Sequence, residues 1–155
     1  MKIRNRSKIE KGGIDQYIEL CDIVKKRLEQ HNQIFSINKQ HILKILFDSK
    51  AHLCTDDISL VLRSLPLSTI NRVLTTFEFL GIVECIVIDE IKRYELIYLK
   101  QPHYHLYCQE CHTISEFESL EIHKLFLQNL EKMNFKATSF NVIINGICSK
   151  CQNDQ

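Results

Sequence analysis

The sequence is poor in the residues that break regular structure, and it lacks long apolar segments. Its 155 residues include four glycines and two prolines, which argues against a linker-rich or disordered chain. Apolar runs such as Ile86–Ile88 are far too short to cross a bilayer, which takes about 20 apolar residues. The first thirteen residues are basic and lack the apolar core of an export signal. These absences predict a folded cytoplasmic protein with no membrane partner.

Positive charge is concentrated locally, while the chain as a whole is nearly neutral. The formal net charge is +1, and 25% of the residues are charged, a balance that neither requires nor excludes nucleic acid. Basic residues gather within the first eleven positions and again at Lys25–Arg27. Solvated surface and phosphate contact both account for such clusters. The length fits one large domain or two small ones.

Apolar residues at helical spacing predict four helices in the first half of the chain. They cover residues 15–31, about 38–49, 55–65 and 68–80. Thr55 and Ser68 are typical N-cap residues. Pro66 is expected to end the third helix, and Gly81 the fourth.

A hairpin and a smaller mixed region are predicted to follow the helices. The β-rich stretches Ile82–Ile88 and Tyr94–Leu99 flank the polar connection Asp89–Arg93, a pattern typical of a hairpin. Helices followed by a hairpin indicate a winged helix-turn-helix domain. After Pro102 the pattern changes, and we expect strands at 104–108 and 113–117, a helix at 119–133 and a last strand at 140–147.

Four cysteines occur in two closely spaced pairs, Cys108 with Cys111 and Cys148 with Cys151. Two thiolates two residues apart can bind one metal ion from a single turn, and two such turns supply the tetrahedral sulfur set of structural zinc. Residues 112–147 separate the pairs, so part of the fold would lie between them. Disulfide pairing is the alternative, which a reducing cytosol disfavours.

Two histidines precede the first cysteine pair at a spacing of two residues. In an extended strand His103 and His105 face the same side and can converge on one ion. An imidazole and carboxylate site accepts iron(II), zinc(II) or manganese(II). The alternative is a pair of surface histidines on an edge strand.

The polar face of the fourth predicted helix is suited to reading DNA. Arg72 can donate two hydrogen bonds to guanine, and Asn71 can pair with adenine. Contact with phosphate by Lys39 would add affinity without sequence information. A solvated helix face is the alternative. The candidate DNA-binding residues are Lys39, Ser68, Thr69, Asn71 and Arg72.

Taken together, these motifs resemble those of the ferric uptake regulator family of metal-dependent bacterial transcription repressors. The resemblance is carried by Ser68–Leu74, Tyr94–Leu96, His103–Cys111, Glu116–Phe117 and Gly146–Cys151. It implies an α+β homodimer that binds a double-stranded DNA operator. Residues 1–14 would form a basic arm, residues 15–100 a winged-helix DNA-binding domain, and residues 101–155 a small α/β dimerisation domain.

The resemblance also implies two metal sites. The structural zinc site would consist of Cys108, Cys111, Cys148 and Cys151. The regulatory site, for iron(II), zinc(II) or manganese(II), would consist of His52, Glu95, His103, His105 and Glu116. These regulatory ligands come from both predicted domains, so metal binding would favour one hinge angle and thereby raise DNA affinity.

Three departures from the family pattern stand out. A further metal site common in the family is expected to be absent, because its matching positions are Pro102, Tyr104, His123 and Phe140. Glu95 lies one residue further from His103 than is usual. Asn71 stands where a tyrosine commonly precedes the arginine, so operator preference is expected to differ.

A repressor of iron uptake is the function that these features favour. The stretch Tyr94–Leu96 has no thiol, which favours iron over the alternative of a zinc-uptake regulator, and Glu95 and Glu116 replace the aspartates typical of peroxide sensors. A metal-buffering module that no longer binds DNA is another alternative. A zinc hydrolase would need a general base and an open cleft, neither of which the sequence indicates. We therefore expect neither an enzyme nor a small-molecule substrate.

Overall fold

The computed structural model describes residues 13–49, 51–98, 100–137 and 140–153. Residues 1–12 of the predicted basic arm lie outside this range. The described residues divide into two compact units, 13–98 and 100–153. Within them no helix is both long and apolar enough to span a membrane. The elements are α1 (Gly13–Gln30), α2 (Ile37–Ser49), α3 (Thr55–Val61), α4 (Leu67–Phe79), β1 (Val83–Ile88), β2 (Ile91–Leu96), β3 (His103–Cys108), β4 (Ile114–Glu118), α5 (Leu120–Lys132), β5 (Ile143–Gly146) and α6 (Ser149–Asn153).

The first unit has a well-buried core built from helical stripes. On α1 the buried stripe is Leu20, Val24 and Leu28, spaced four residues apart along one side of the helix. Ile14 and Ile18 also recur at helical spacing, but they are exposed because the rotation of the helix places them to the side of that stripe. The other buried apolar residues of this core are Ile42, Leu43, Leu46, Ile58, Ile70, Val73, Leu74, Phe77, Ile82, Val83 and Tyr94.

Helix α3 starts and ends differently from the prediction. Its N-cap is Cys54, not Thr55, which is the first helical residue. The Cys54 backbone N–H donates to Asp57 Oδ2 at 2.8 Å, and this bond holds the pKa of Asp57 below its ordinary value. The helix ends at Val61 because the chain leaves helical geometry at Leu62 (φ −98°, ψ 60°).

Helix α4 starts before the predicted cap, Ser68. Its N-cap is Pro66, whose carbonyl accepts from the N–H groups of Thr69 (2.9 Å) and Ile70 (3.2 Å). Proline suits this position because its fixed φ fits the helix start and no N–H is lost from the helix. Ser68 is therefore in the first turn, and its side chain is exposed.

Strands β1 and β2 form the predicted hairpin, with a shorter turn than expected. They pair antiparallel from Val83 with Leu96 to Ile88 with Ile91. The turn is only Asp89 and Glu90, both with positive φ (51° and 64°), as in the type I′ turns whose twist suits a hairpin. The polar residues after the turn pair with β1 instead of extending the loop. Four helices and this hairpin make the first unit a winged helix-turn-helix domain.

The second unit is a three-stranded sheet with one long helix. Its strand order is β4-β3-β5, with β3 antiparallel to β4 and parallel to β5. The Tyr104 ring packs on Phe117 (5.2 Å between centroids) and on Phe126 of α5 (6.0 Å).

Helix α5 begins as predicted but does not bury its apolar face within one chain. Ser119 caps it by accepting from the Ile122 N–H at 3.2 Å. Its amphipathic spacing would bury Ile122, Leu125, Phe126, Leu130 and Met133 on one face, yet no residue of the helix is buried. Leu125 is 59% exposed and Met133 74% exposed, because the small sheet of a single chain covers little of the helix.

We predict that Leu74→Ala lowers the free energy of unfolding of the first unit by about 2–5 kcal/mol, the usual cost of a cavity at a fully buried leucine. Leu74 has no exposed surface, whereas Leu60 is 73% exposed. Leu60→Ala is therefore the matched control and should change stability by about 0.5 kcal/mol or less. Urea unfolding followed by circular dichroism measures both. Equal effects of the two substitutions would contradict this description of the core.

Candidate metal centre and nucleic-acid interface

The parallel pairing of β3 with β5 brings the two cysteine pairs together. Cys108 is the last residue of β3 and lies opposite Gly146 of β5. The chain beyond Gly146 therefore reaches Cys148 beside the turn that carries Cys111. Cys151 follows on α6, and the Cys148 N–H donates to Cys108 Sγ at 3.3 Å.

The four sulfurs have the spacing of a tetrahedral metal site. All four Sγ atoms lie within 4.8 Å of one another. Cys148 Sγ lies 3.7 Å from Cys111 Sγ and 3.6 Å from Cys151 Sγ. A zinc–sulfur distance of about 2.3 Å in a tetrahedron separates the sulfurs by about 3.8 Å, whereas a disulfide needs about 2.05 Å. The residues therefore fit a structural metal ion, and all four cysteines are free thiols.

Local hydrogen bonds favour the thiolate form of two of the four cysteines, Cys108 and Cys111. Backbone N–H groups of Cys111 and Cys148 lower the pKa of Cys108 to about 6. The pKa of Cys111 is also lowered, chiefly by hydrogen bonding with the Thr113 side chain. In contrast, hydrogen bonding with Cys148 raises the pKa of Cys151 to about 12. A bound divalent cation would offset the repulsion among the converging thiolates. Four cysteines in this arrangement are therefore suited to binding such a cation.

The candidate regulatory ligands of the second unit lie on adjacent strands. The His103 and His105 rings on β3 are 5.0 Å apart between centroids. His105 lies opposite Glu116 of β4, so an imidazole and a carboxylate stand side by side. The Lys100 ammonium is 3.2 Å from Glu116. His105 is nearly fully buried, which limits its contact with water.

The candidate regulatory ligands of the first unit form a buried pair. His52 Nε2 lies 3.3 Å from Glu95 Oε1, and the two side chains are only 7% and 4% exposed. Their proximity follows from the backbone, because Leu53 and Tyr94 pair antiparallel through two hydrogen bonds of 2.9 and 2.8 Å. The structure thus places Glu95 beside His52 despite its unusual spacing from His103.

Three of the four positions that match the family's further metal site, Tyr104, His123 and Phe140, lie in an aromatic cluster. The His123 ring meets the Phe140 ring at 4.9 Å, and Phe140 lies 6.3 Å from Phe126. Phe126 in turn contacts Tyr104. Within the described residues, the groups able to hold a metal do not include His123.

The candidate DNA-binding residues lie on α4 and at the start of α2. Ser68, Asn71 and Arg72 are exposed, and Thr69 is half-buried. Lys39 Nζ donates to Gln33 Oε1 (2.9 Å) and to the Ile34 carbonyl (2.8 Å).

Lys39 and Arg72 also lie close enough to interact electrostatically. Burial, and then the positive charge of Arg72, lower the pKa of Lys39. Half-buried Lys39 and exposed Arg72 are thus two cations near one another, a favourable contact for phosphate.

Three residues contact the candidate site residues although these contacts were not predicted from the sequence. Thr113 contacts Cys111, and its position two residues after that cysteine could have indicated it. Lys100 reaches Glu116 across sixteen residues. Thr55 Oγ1 donates to Asn71 Oδ1 at 2.7 Å, also across sixteen residues. No local sequence signal points to either of these last two pairs.

The chain is similar to known metal-responsive regulators over most of its length. The model of the ferric uptake regulator family matches residues 32–145. The ferric uptake regulation protein of Campylobacter jejuni is 26% identical over 148 residues, which cover 90% of this chain and 93% of that protein. The peroxide-responsive repressor PerR of Staphylococcus aureus is 27% identical over 119 residues, covering 74% and 79%. The solved structure of Helicobacter pylori Fur, 21% identical, matches with a TM-score of 0.73 over 88% of this chain and 93% of that chain.

We predict that Cys108→Ser or Cys148→Ser lowers the zinc content of the purified protein to well below one ion per chain, because each removes a ligand of the sulfur cluster. Loss of the ion should also weaken dimerisation, since it would no longer join the β5–α6 segment to β3. Mass spectrometry of metal content and light scattering measure the two effects. Cys21→Ala, at a half-buried cysteine of α1, is the control. Unchanged zinc and dimer mass in the serine variants would refute the assignment.

Proposed function

Because the chain belongs to the ferric uptake regulator family and is thus a metal-responsive DNA-binding transcriptional regulator, we propose that it represses iron-uptake genes when iron(II) is bound. Membership of the family confirms the resemblance expected from the sequence. Iron is supported by the similarity to the Campylobacter jejuni protein, whose name refers to ferric uptake. The absence of a thiol at Tyr94–Leu96 supports iron over zinc.

The observation that carries the proposal is the division of the candidate ligands between two compact units. The buried pair His52 and Glu95 belongs to the first unit. His103, His105 and Glu116 belong to the second. We propose that both groups bind the same regulatory ion, with neutral imidazoles and ionised carboxylates as donors.

Ligation from both units would make DNA affinity depend on metal. An ion that takes ligands from two units favours the relative orientation in which all ligands reach it. If that orientation places the two α4 helices of a dimer on one face of DNA, metal and operator binding are coupled by about 1–3 kcal/mol. Lys100, which now contacts Glu116, would give way to the ion, since both are cations that compete for one carboxylate.

In this proposal the domain predicted at residues 15–100 reads the operator. Arg72 on the exposed face of α4 would donate to guanine, with Asn71, Ser68 and Thr69 beside it. Lys39 would contact phosphate. Operator DNA as the partner places the protein in the cytoplasm.

The domain predicted at residues 101–155 would form the homodimer. Its apolar surface supports this role: Leu125, Leu127 and Ile144 are each between 46% and 59% exposed. Pairing with a second copy would cover such a surface. Zinc bound by Cys108, Cys111, Cys148 and Cys151 would hold β5 and α6 in place for that contact.

We predict that Arg72→Ala weakens binding to an operator selected from random-sequence DNA by about 1–3 kcal/mol. It should also relax base preference, as expected when a bidentate base contact is lost. Lys39→Ala should instead weaken operator and random DNA alike and reduce the salt dependence of binding. Fluorescence anisotropy with both DNAs at several salt concentrations separates the two effects. If Arg72→Ala weakened both DNAs equally, a base-reading role for Arg72 would be wrong.

We also predict that His103→Ala or His105→Ala abolishes the rise in DNA affinity on adding iron(II) or manganese(II), while zinc content and dimer mass stay unchanged. The reason is that both imidazoles lie on β3 away from the sulfur cluster at its end. His123→Phe is the matched control, because it removes an imidazole of the same unit but keeps an aromatic ring against Phe140.

Anisotropy titrations with and without metal measure this response. A full metal response in both alanine variants would contradict the regulatory site. The same titration tests the alternatives: a metal-buffering module or a zinc hydrolase would bind no operator with either metal.

A further inference from the structure

A hydrogen bond joins the recognition helix to the helix before it. Thr55 is the first residue of α3 and is half-buried, whereas Asn71 is exposed on α4. The Thr55 hydroxyl donates to Asn71 Oδ1 at 2.7 Å. The bond is short and links two helices that pack together and that contribute Ile58 and Ile70, both fully buried, to the same core. Its donor is therefore held on a rigid support.

In the structure this bond uses the oxygen end of the Asn71 amide. An asparagine side chain has an acceptor oxygen and an NH₂ group with two donors. A solvent-exposed amide can rotate and present either end. Here the oxygen is directed to Thr55, so the NH₂ group is the end left to meet a ligand.

Other polar side chains of α4 are held differently. The Thr76 hydroxyl donates to the Arg72 backbone carbonyl at 2.9 Å, so it is turned back onto its own helix. The Arg72 side chain is exposed and carries donors only. The surface around Asn71 thus offers donors, one of them on an oriented amide.

We propose that Thr55 is a positioning residue that fixes Asn71 as a hydrogen-bond donor in operator recognition. In the major groove guanine presents two acceptors and thymine one, whereas cytosine presents an N4 donor. Adenine presents one acceptor beside one donor, and the bidentate pairing expected from the sequence needs the Asn71 oxygen, which here accepts from Thr55. Asn71 therefore favours guanine or thymine at its position over adenine and disfavours cytosine. This inference rests on the proposed reading of DNA by α4, and it adds a specificity determinant that lies outside that helix.

The test is selection of binding sites from random-sequence duplexes by the full chain with manganese(II). The wild-type protein should enrich one motif, including a position with guanine or thymine. Thr55→Val keeps the side-chain shape but removes the hydroxyl, so preference at that position should fall about tenfold with the rest of the motif intact. Thr55→Ser should restore it. Asn71→Asp replaces the donor end with an acceptor and should shift the preference to cytosine.

Thr76→Val is the matched control, since it removes a hydroxyl of α4 that does not contact Asn71. The wild type, Thr55→Val, Asn71→Ala and the double variant form a double-mutant cycle. In this cycle Thr55→Val should have no further effect on base preference once residue 71 is alanine. Circular dichroism checks that each variant is folded.

The possible outcomes distinguish failure of the proposed role of Thr55 from failure of the proposed function. If the wild type enriches a motif but Thr55→Val reproduces it at every position, or if Thr76→Val causes the same loss, the role of Thr55 is wrong and the proposed function stands. Additive effects in the cycle would also overturn that role. If the wild type enriches no motif with metal, the proposed function fails, and this inference fails with it.

Discussion

Four cysteine sulfurs converge at the end of β3, and we propose that the structure of the second unit depends on the metal ion that they would bind. Among the residues of this unit that the structure describes, the buried side chains are Tyr104, His105, Tyr107 and Cys108, all on that strand. The helix α5 buries none of its residues, so apolar burial within one chain contributes little. A metal ion held by the sulfurs would join the end of β3 and the turn at Cys111 to the segment after β5 that carries Cys148 and Cys151. The first unit needs no such link, because its helices enclose a continuous apolar core.

Strand β3 connects this structural constraint to regulation. It carries His103 and His105 near its start and Cys108 at its end. Loss of regular structure in β3 would therefore affect both the sulfur cluster and the candidate regulatory site. Pairing with β4 sets Glu116 opposite His105, while pairing with β5 positions Cys148. The sulfur cluster would thus preorganise the ligands that we propose for the regulatory ion. Preorganised ligands lower the free-energy cost of metal binding and thereby raise metal affinity.

The sequence predicted well those features that short-range patterns encode. Cysteine spacing indicated the sulfur cluster, and helical periodicity located α1, α2, α4 and α5. Helix starts were harder, because Cys54 and Pro66 act as caps through backbone geometry that residue preference alone does not reveal. Exposure of Leu125 on α5 was missed, since amphipathic spacing does not tell whether the covering surface belongs to the same chain. The Thr55–Asn71 bond depends on the packing of two helices and has no local signature.

Hydrogen exchange of the full chain, before and after zinc removal by a chelator, tests the central role of the sulfur cluster most directly. The amides to follow are Cys108, which donates to Thr113, and Gln109, which donates to Gly146. We expect these and the β3–β5 amides to lose protection when zinc is removed, while the amides of α2 and α4 keep theirs, since local stability differs between the units. Equal protection of the β3–β5 amides in the two states would contradict the account.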